Sequence, residues 1–281
     1  MILSLGLDRW YLGLHGLALL RSYPYGDPEQ AEARMSAMRS ILSGEGETPT
    51  LEVQAFEHLD TDAAYELWSA TYDEPNPLIV AEERALLAML DDIPPGPAID
   101  VASGTGRIAA HLLRRGHNVI ACDRSAGMLR RASEKLEGIG MVQSDLRALP
   151  IRDGSVDLLT CSLALTHVPA LGAAFRSFAR VLRHGAHAVI SDIHPFAVMT
   201  GAHAFFRKQD DSRAVAFNEQ HWFNEYVRSA TEAGFGIERC EEAFIDEALL
   251  REFGVEDSWL HPERAILGLP FALMWVLRRN D

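Results

Sequence analysis

A glycine-bearing loop carries the clearest chemical signal in the sequence. Asp100 lies near the end of an apolar run, Gly104 and Gly106 follow it, and a helical pattern starts at once. Glycine allows backbone conformations and close approaches that a Cβ would block. The first turn of a helix offers free N–H groups and positive potential. The loop can therefore hold the polar part of a ligand, and its Gly-x-Gly-x-x-Ala spacing, which ends at Ala109, also fits the dinucleotide fingerprint.

Two acidic residues narrow the choice of ligand. A carboxylate at Asp100, inside a predicted strand, is costly to bury without partners. It could accept hydrogen bonds from loop amides or attract a cationic ligand, whereas it would repel a dinucleotide phosphate. Asp123 closes the next apolar run, 23 residues after Asp100. An acid at that position suits the two hydroxyls of a ribose. More than one class of adenosine-containing cofactor is bound by such an acid. Asp123 therefore predicts a ligand with an adenosine group but does not identify the cofactor.

Three histidines are candidates for a general base, since imidazole titrates near neutral pH. His167 ends the loop after a predicted strand, where ligands bind in open α/β folds, although it could equally cap the next helix. His194 and His221 flank a segment that reads as an insertion. A metal site formed by these two residues with Asp192 and His203 is conceivable. The spacing is not a recognised metal pattern, so we expect no metal.

Three aromatic residues share one face of a predicted helix. Tyr65, Trp68 and Tyr72 stand at i, i+3 and i+7. Aromatic rings attract cations where water is excluded, so this face could cover a positively charged ligand. The alternative is an aromatic stripe packed against the domain, and Trp68 is the residue of the three that best fits a purely structural role.

Short apolar strands alternate with helices through most of the chain, which indicates a mostly parallel sheet with both faces covered. Ahead of this α/β region, residues 1–55 read as an N-terminal helical arm, and a polar linker lies near 44–49. We expect a substrate-covering insert at about 194–221. The predicted strands are 98–102, 118–123, 141–144, 156–162, 186–193, 237–244 and 271–278, and the predicted helices are 10–21, 29–42, 60–72, 78–90, 107–115, 126–137, 170–182 and 222–233.

The composition argues against nucleic acid as a partner. The formal net charge is −14, from 26 Lys and Arg against 40 Asp and Glu, and such a surface repels phosphate backbones. Cys122, Cys161 and Cys240 show neither metal spacing nor an even-numbered disulfide framework, which favours free thiols in a reducing cytoplasm. The apolar run 12–20 is too short to span a membrane.

In this combination of spaced motifs the chain resembles the class I S-adenosylmethionine-dependent methyltransferases, in particular the small-molecule, quinone-methyltransferase-like branch. The resemblance covers roughly residues 60–245. Segment 100–106 is similar to the first motif of the family, with Ala102 where a glycine is commoner. Segment 65–73 resembles the family's entry helix over the cofactor, and segment 182–185 resembles the turn before the fifth strand, with His184 as a departure. The Asn/Asp-Pro-Pro-aromatic segment of base-modifying methyltransferases is missing after Ser162.

The resemblance implies a doubly wound, seven-stranded, mostly parallel sheet whose last strand is antiparallel. It also implies roles for individual residues: Asp123 would bind the ribose, Met128 with Leu129 would border the adenine, and Asp145 would accept from the adenine amine. The full set of expected cofactor-binding residues is Tyr65, Tyr72, Asp100, Ala102, Ser103, Gly104, Thr105, Gly106, Asp123, Arg124, Met128, Ser144, Asp145, Leu146, Ser162 and Leu163.

The expected activity is transfer of a methyl group from S-adenosylmethionine to an oxygen, nitrogen or carbon atom of a small molecule. Aromatic residues in the insert favour an apolar or aromatic acceptor. An NAD(P)-dependent oxidoreductase is the first alternative, and a non-catalytic protein that binds adenosine ligands is the second. We also expect a homodimer through the N-terminal arm, S-adenosylhomocysteine as the product, and no membrane span.

Overall fold

The computed structural model describes residues 2–5, 7–44 and 54–280. These residues form two compact units, one containing residues up to 58 together with 244–269, and the other containing 59–243 and 270 onwards. Most of the predicted linker near 44–49 lies outside the described residues. The extent predicted for the arm, 1–55, stays a prediction, but segment 244–269 clusters with it rather than with the larger unit.

The smaller unit is built from two helices of the arm and a later segment. The helix Leu7–Ser22 contacts a short 3₁₀ turn at Pro262–Ile266, and the Arg21 guanidinium donates to the Ala265 carbonyl at 2.5 Å. Asp27 caps the next helix by accepting from the Glu29 amide, which explains why that helix begins at Pro28. The elements of this unit are β1 Ile2–Leu5, α1 Leu7–Ser22, α2 Pro28–Ser43, β2 Gln54–His58 and α10 Glu247–Glu252.

The larger unit contains the predicted α/β fold. Among the described residues, seven strands form one sheet with the order β10-β11-β7-β6-β3-β4-β5. The neighbours within β7-β6-β3-β4-β5 are parallel, and β11 is antiparallel to β7. This confirms the predicted fold class. The elements are α3 Thr61–Trp68, α4 Pro77–Asp91, β3 Pro97–Val101, α5 Arg107–Arg114, β4 Asn118–Asp123, α6 Ala126–Lys135, β5 Gly140–Gln143, β6 Val156–Ser162, α7 Leu171–Val181, β7 Leu182–Ile193, α8 Pro195–Met199, β8 Ala204–Arg207, β9 Arg213–Ala216, α9 Phe223–Glu232, β10 Phe235–Phe244 and β11 Pro270–Arg279.

Burial on both faces explains why the central strands are apolar almost without interruption. Ile99 and Leu159, on neighbouring strands, are fully buried on one side of the sheet with Phe175 and Phe178 of α7. On the other side, Leu112 of α5 belongs to a second buried cluster with residues of α4. A parallel sheet covered on both faces needs this pattern, and its carboxyl ends then meet along one edge.

The observed elements differ from the predictions at two places that affect the site. The helix predicted over 60–72 ends at Trp68, so Tyr72 lies in the turns that follow α3. The turn predicted at 182–185 occurs inside β7: Leu182 already pairs with Val156, and the register then shifts around Gly185, whose φ is 77°. The left-handed conformation of this glycine makes such an interruption possible.

The predicted insert at about 194–221 contains the short helix α8 and an antiparallel hairpin formed by β8 and β9. Phe206 of the hairpin stacks on Trp68 of α3, with ring centroids 5.0 Å apart. The hairpin therefore supports the helix that carries the aromatic face. Within the described part of the chain, no helix is long and apolar enough to cross a membrane.

Candidate active site

The loop after β3 has the backbone geometry that its glycines predict. Gly104 and Gly106 have φ angles of 54° and 86°, and a Cβ on Gly106 would come within 2.5 Å of the Leu136 side chain. Ala102 also lies in the left-handed region, with φ 52°. For a residue with a Cβ this conformation costs roughly 1–2 kcal/mol, which gives a physical reason for the family's usual glycine at this position.

Asp123 ties this loop to the end of β4. One carboxylate oxygen accepts from the Gly104 amide at 2.8 Å, and the other accepts from the Ser125 amide at 2.8 Å. Burial raises the pKa of Asp123, and these backbone hydrogen bonds oppose the rise. The carboxylate also lines a cavity, so it can accept from a ligand while it holds the loop.

Asp100 stabilises the loop from beneath. Its side chain is buried and accepts from the Ala109 amide at 3.0 Å and from the Thr160 hydroxyl at 2.7 Å. Burial raises its pKa to about 7, and these hydrogen bonds oppose the rise. Of the two roles that the sequence left open for Asp100, the structure supports the hydrogen bonds to backbone amides, because the carboxylate does not line the cavity.

A cavity of about 460 Å³ opens at the carboxyl ends of the central strands, a size typical of small-molecule sites. Twelve predicted site residues line it: Tyr65, Tyr72, Ala102, Gly104, Asp123, Arg124, Ser144, Asp145, Leu146, Ser162, Leu163 and His167. Residues that the sequence did not single out line it too: Asp60, Thr61, Asp62, Ser125, Arg147, Ala164, Val168 and Pro169.

The other predicted cofactor residues lie behind the cavity wall. Thr105 donates from its hydroxyl to Asp73 at 2.6 Å, which fastens the loop to the segment after α3. Met128 is fully buried in α6. Ser103 and Gly106 are buried in the loop. These residues do not line the cavity in this structure, and their contacts with a cofactor stay predictions.

Two tyrosines from the α3 region cover the cavity. The ring centroids of Tyr65 and Tyr72 are 6.3 Å apart, and both rings contact Trp68. Tyr72 lies 3.7 Å from the position that a Cβ on Gly104 would occupy. Trp68 packs between the tyrosines and the hairpin and does not line the cavity, which fits the structural role that the sequence suggested for it.

Glu66, which the sequence did not single out, anchors this cover. Its carboxylate accepts from the Gly127 amide at 2.8 Å and from the Ser125 hydroxyl at 2.7 Å. These groups lie at the N-terminus of α6, where positive potential favours a carboxylate. The backbone hydrogen bond from Gly127 is the main reason that the pKa of Glu66 is lowered.

Of the three candidate histidines, His167 alone lines the cavity. Its Nε2 lies 2.7 Å from the Tyr65 hydroxyl. Burial lowers the pKa of His167 to about 4, and the Phe217 backbone opposes the fall. His167 is therefore neutral at physiological pH and can accept a proton.

His194 and His221 are engaged elsewhere. His194 caps α8 by accepting from the Phe196 amide, and its Nε2 lies 2.9 Å from a Glu242 carboxylate oxygen. His221 is buried and donates from Nε2 to the Val168 carbonyl at 2.7 Å. Neither residue lines the cavity, because the insert turns both rings towards packing contacts that the sequence alone could not show.

A buried polar network lies behind Ser162. Glu82 is fully buried and accepts from the hydroxyls of Ser162 and Ser191 at 2.7 and 2.5 Å, and from Arg107 at 2.9 Å. Sequence reasoning missed Glu82 because its partners stand 25 to 109 positions away along the chain. The network fixes one wall of the cavity.

The fold and the cavity together define a class of protein: a doubly wound α/β protein with a cavity between a glycine-bearing loop and an aromatic cover. Residues 99–190 match a family described as a methyltransferase domain. A solved S-adenosylmethionine-dependent methyltransferase from Mesorhizobium loti is 25% identical and superimposes with a TM-score of 0.56, covering 71% of this chain and 98% of that one.

Curated relatives agree with this match. A demethylmenaquinone methyltransferase from Beutenbergia cavernae is 32% identical over 44% of this chain and 52% of that protein. A malonyl-[acyl-carrier protein] O-methyltransferase from Pseudescherichia vulneris is 29% identical over 72% of this chain and 81% of that protein. The chain thus spans about half the length of the first of these relatives. Over these segments the chain is similar to S-adenosylmethionine-dependent methyltransferases, the family that its motifs resemble.

Proposed function

We propose that this protein transfers a methyl group from S-adenosylmethionine to a small molecule. The observation that carries the proposal is Asp123, which holds the Gly104 amide and at the same time faces the covered cavity. This arrangement offers a carboxylate to a ribose diol beside a loop shaped by left-handed residues. Similarity to small-molecule methyltransferases supports the same function.

The residues present fit the cofactor. Asp123 would bind the ribose, the Ser144–Leu146 wall would border the adenine, and the backbone of Ala102 and Gly104 under Tyr72 would hold the amino-acid end. Arg147 donates to the Asp145 carboxylate at 2.5 Å. This carboxylate would therefore accept from Arg147 and from the adenine amine at the same time. When bound, S-adenosylmethionine supplies a methyl group already activated by its positive sulfur.

The chain's own task is then to orient the acceptor and exclude water. Such orientation can supply roughly 7–11 kcal/mol in favourable cases. Tyr65 and Tyr72 close the cavity, and Leu163 and Ala164 line its floor. Of the three candidate histidines we propose His167 as the one that receives the acceptor's proton, because it alone lines the cavity.

Hydrogen bonding in the loop disfavours the oxidoreductase alternative. A dinucleotide pyrophosphate needs free N–H groups at the start of the helix. Here the Gly104 amide donates to Asp123, and the Ala109 amide donates to Asp100. Two acidic side chains thus occupy donors of the loop and of the first helical turn, and one of them, Asp123, faces the cavity where a phosphate would have to lie.

Titration calorimetry with S-adenosylmethionine, S-adenosylhomocysteine and NAD tests the proposal. We expect the first two to bind and NAD not to bind. Binding of NAD alone would contradict the proposal. Binding of S-adenosylhomocysteine without turnover on a broad panel of acceptors would instead favour a non-catalytic protein that binds adenosine ligands.

We further propose that the protein works in the cytoplasm without nucleic acid, as its net charge of −14 suggests, and that it forms a homodimer through the N-terminal arm. Leu20 and Tyr25 of the arm support the dimer, because both are strongly exposed apolar side chains. Light scattering on the full chain, compared with a Leu20→Lys variant, tests the dimer. A monomeric wild-type protein would contradict it.

A further inference from the structure

Two residues of the cavity wall form a hydrogen-bonded pair whose role the methyltransferase fold alone does not explain. Tyr65 comes from the cover helix α3, and His167 comes from the 3₁₀ turn Leu165–His167 after β6. The Tyr65 hydroxyl lies 2.7 Å from His167 Nε2, and the two rings meet edge to face at a centroid distance of 5.1 Å. Both residues line the cavity, so the pair lies beside the space that an acceptor would occupy.

The charges around the pair set the direction of the hydrogen bond. The pKa of His167 is lowered to about 4, mainly by burial, with His203 acting in the same direction and the Phe217 backbone opposing it. Burial raises the pKa of Tyr65 well above its ordinary value, and Tyr72, Asp123 and Asp192 act in the same direction. At neutral pH the imidazole is therefore neutral and the phenol is protonated, so Tyr65 donates to Nε2 and keeps its own oxygen lone pairs for another donor.

The described residues of the cavity wall offer no unpaired permanent cation to a negatively charged acceptor. Among the described residues that line it, the permanently charged cations are Arg124 and Arg147. Arg124 forms an ion pair with Asp62 at 2.7 Å, and Arg147 binds the Asp145 carboxylate with two of its nitrogens. Asp60 and Asp123 add two further carboxylates to the wall. Neither arginine is thus left unpaired to offset the charge of a carboxylate acceptor, and a neutral acceptor needs no such cation.

From this geometry we infer that the methyl acceptor is a neutral molecule with a hydroxyl group, and that Tyr65 is a catalytic residue that takes the hydroxyl proton and passes its own proton to His167. The inference rests on the proposed methyltransferase function. This role differs from direct proton removal by a histidine, because the acceptor contacts the Tyr65 oxygen and His167 acts through Tyr65.

The step balances in atoms and charge. An oxygen lone pair of the acceptor forms the new bond to the methyl carbon, and the methyl–sulfur bond breaks with its electron pair left on sulfur. The acceptor's O–H proton moves to Tyr65 Oη as the Tyr65 proton moves to His167 Nε2. The positive charge begins on sulfur and ends on the imidazole. Because the pKa of His167 is about 4, loss of the proton from the imidazolium is favourable at neutral pH.

Matched ligand pairs test the class of acceptor without requiring turnover. Protein loaded with S-adenosylhomocysteine is titrated with phenol and benzoate, then with 2-naphthol and 2-naphthoate. We expect each hydroxyl compound to bind at least about tenfold more tightly than its carboxylate partner. Equal or tighter binding of the carboxylates, or no binding by either hydroxyl compound, overturns the assignment. Failure to bind S-adenosylhomocysteine itself would instead refute the proposed function.

Tyr65→Phe tests the proton path. With the hydroxyl compound that is methylated fastest, we expect kcat to fall by about 10²-fold or more, the usual range for loss of acid–base assistance. We expect the affinity for S-adenosylhomocysteine to stay within threefold of wild type. The wild-type rate should be level from pH 5 to 8, since His167 stays neutral there, whereas the Tyr65→Phe rate should rise with pH as the acceptor ionises in solution.

Tyr72→Phe is the matched control, because it removes another tyrosine hydroxyl from the same cavity. Its pH–rate profile should keep the level wild-type shape. Imidazole ¹⁵N shifts of the complex with S-adenosylhomocysteine provide a readout that is independent of activity, and they should show Nε2 of His167 unprotonated down to pH 5. The proton path would be overturned if His167 titrated near pH 6.5, or if the Tyr65→Phe variant kept the wild-type kcat and pH–rate profile. It would also be overturned if protein that binds S-adenosylhomocysteine methylated no hydroxyl compound.

Discussion

Substitution of Asp123 by asparagine separates the two tasks of this side chain. In the wild type, both carboxylate oxygens accept backbone hydrogen bonds, from Gly104 and from Ser125. Asparagine has the same shape but a single acceptor oxygen, so its amide nitrogen must face one of these N–H donors. One partly buried N–H group then loses its partner, which costs roughly 1–3 kcal/mol of stability.

Cofactor affinity should fall in addition to stability. The ribose diol would lose a hydrogen bond to a charged acceptor, worth roughly 1.5–3 kcal/mol. At 1.4 kcal/mol for each factor of ten, this corresponds to roughly 10- to 150-fold weaker binding of S-adenosylhomocysteine. Calorimetric titration measures the affinity, and urea unfolding of the protein without ligand measures the stability separately.

Asp157→Asn is the control for this experiment. Asp157 stands on β6, pairs with Arg183 at 2.6 Å, and lies outside the cavity lining. Its substitution should leave the affinity unchanged. A folded Asp123→Asn protein that unfolds like the wild type and binds S-adenosylhomocysteine with wild-type affinity would refute the role given to Asp123.

Two further substitutions probe the supports of the site. The pKa of Asp100 is raised from 3.8 to about 7, so between these pH values the native state keeps a proton that the unfolded state has lost. The contribution of Asp100 to stability should therefore fall by roughly 3 kcal/mol as pH rises from 4 to 7, and Asp100→Asn should remove this fall. A flat difference curve between the two proteins in urea unfolding would contradict it. Glu66→Gln should weaken the anchor at Gly127 and raise the dissociation rate of S-adenosylhomocysteine several-fold in stopped-flow measurements, and an unchanged rate would show that the cover does not limit release.

The order of the motifs along the sequence was enough to predict the glycine-bearing loop after β3 and the acidic residue Asp123 after it. Asp100, Gly104 and Asp123 follow consecutive apolar runs, and parallel strands bring their carboxyl ends to one edge of the sheet. The contacts of Ser162 and Leu163 with the cavity follow from the same rule, because β6 pairs with β3. These predictions depended on strand order alone, which continuous apolar strands and the family resemblance both indicate.

Side chains that meet across long sequence distances could not be predicted in this way. Glu82 reaches Ser191 from a helix on one face of the sheet, and no periodic pattern links the two positions. The aromatic residues of the insert favoured an apolar acceptor, yet Phe206 packs on Trp68 and does not line the cavity. Where such residues point depends on how the β8–β9 hairpin packs, which is a tertiary property.

The electrostatics of the loop explain why one fold can serve oppositely charged ligands. A glycine-bearing loop before a helix attracts anions when its N–H groups are free. In this chain Asp123 occupies the Gly104 amide, and Asp100 occupies the Ala109 amide, so two of these donors are satisfied from within and the acidic side chain of Asp123 faces the cavity. A cationic sulfonium compound suits these surroundings, whereas a pyrophosphate does not. The position of two carboxylates, rather than the glycine pattern itself, therefore decides which cofactor the loop can accept.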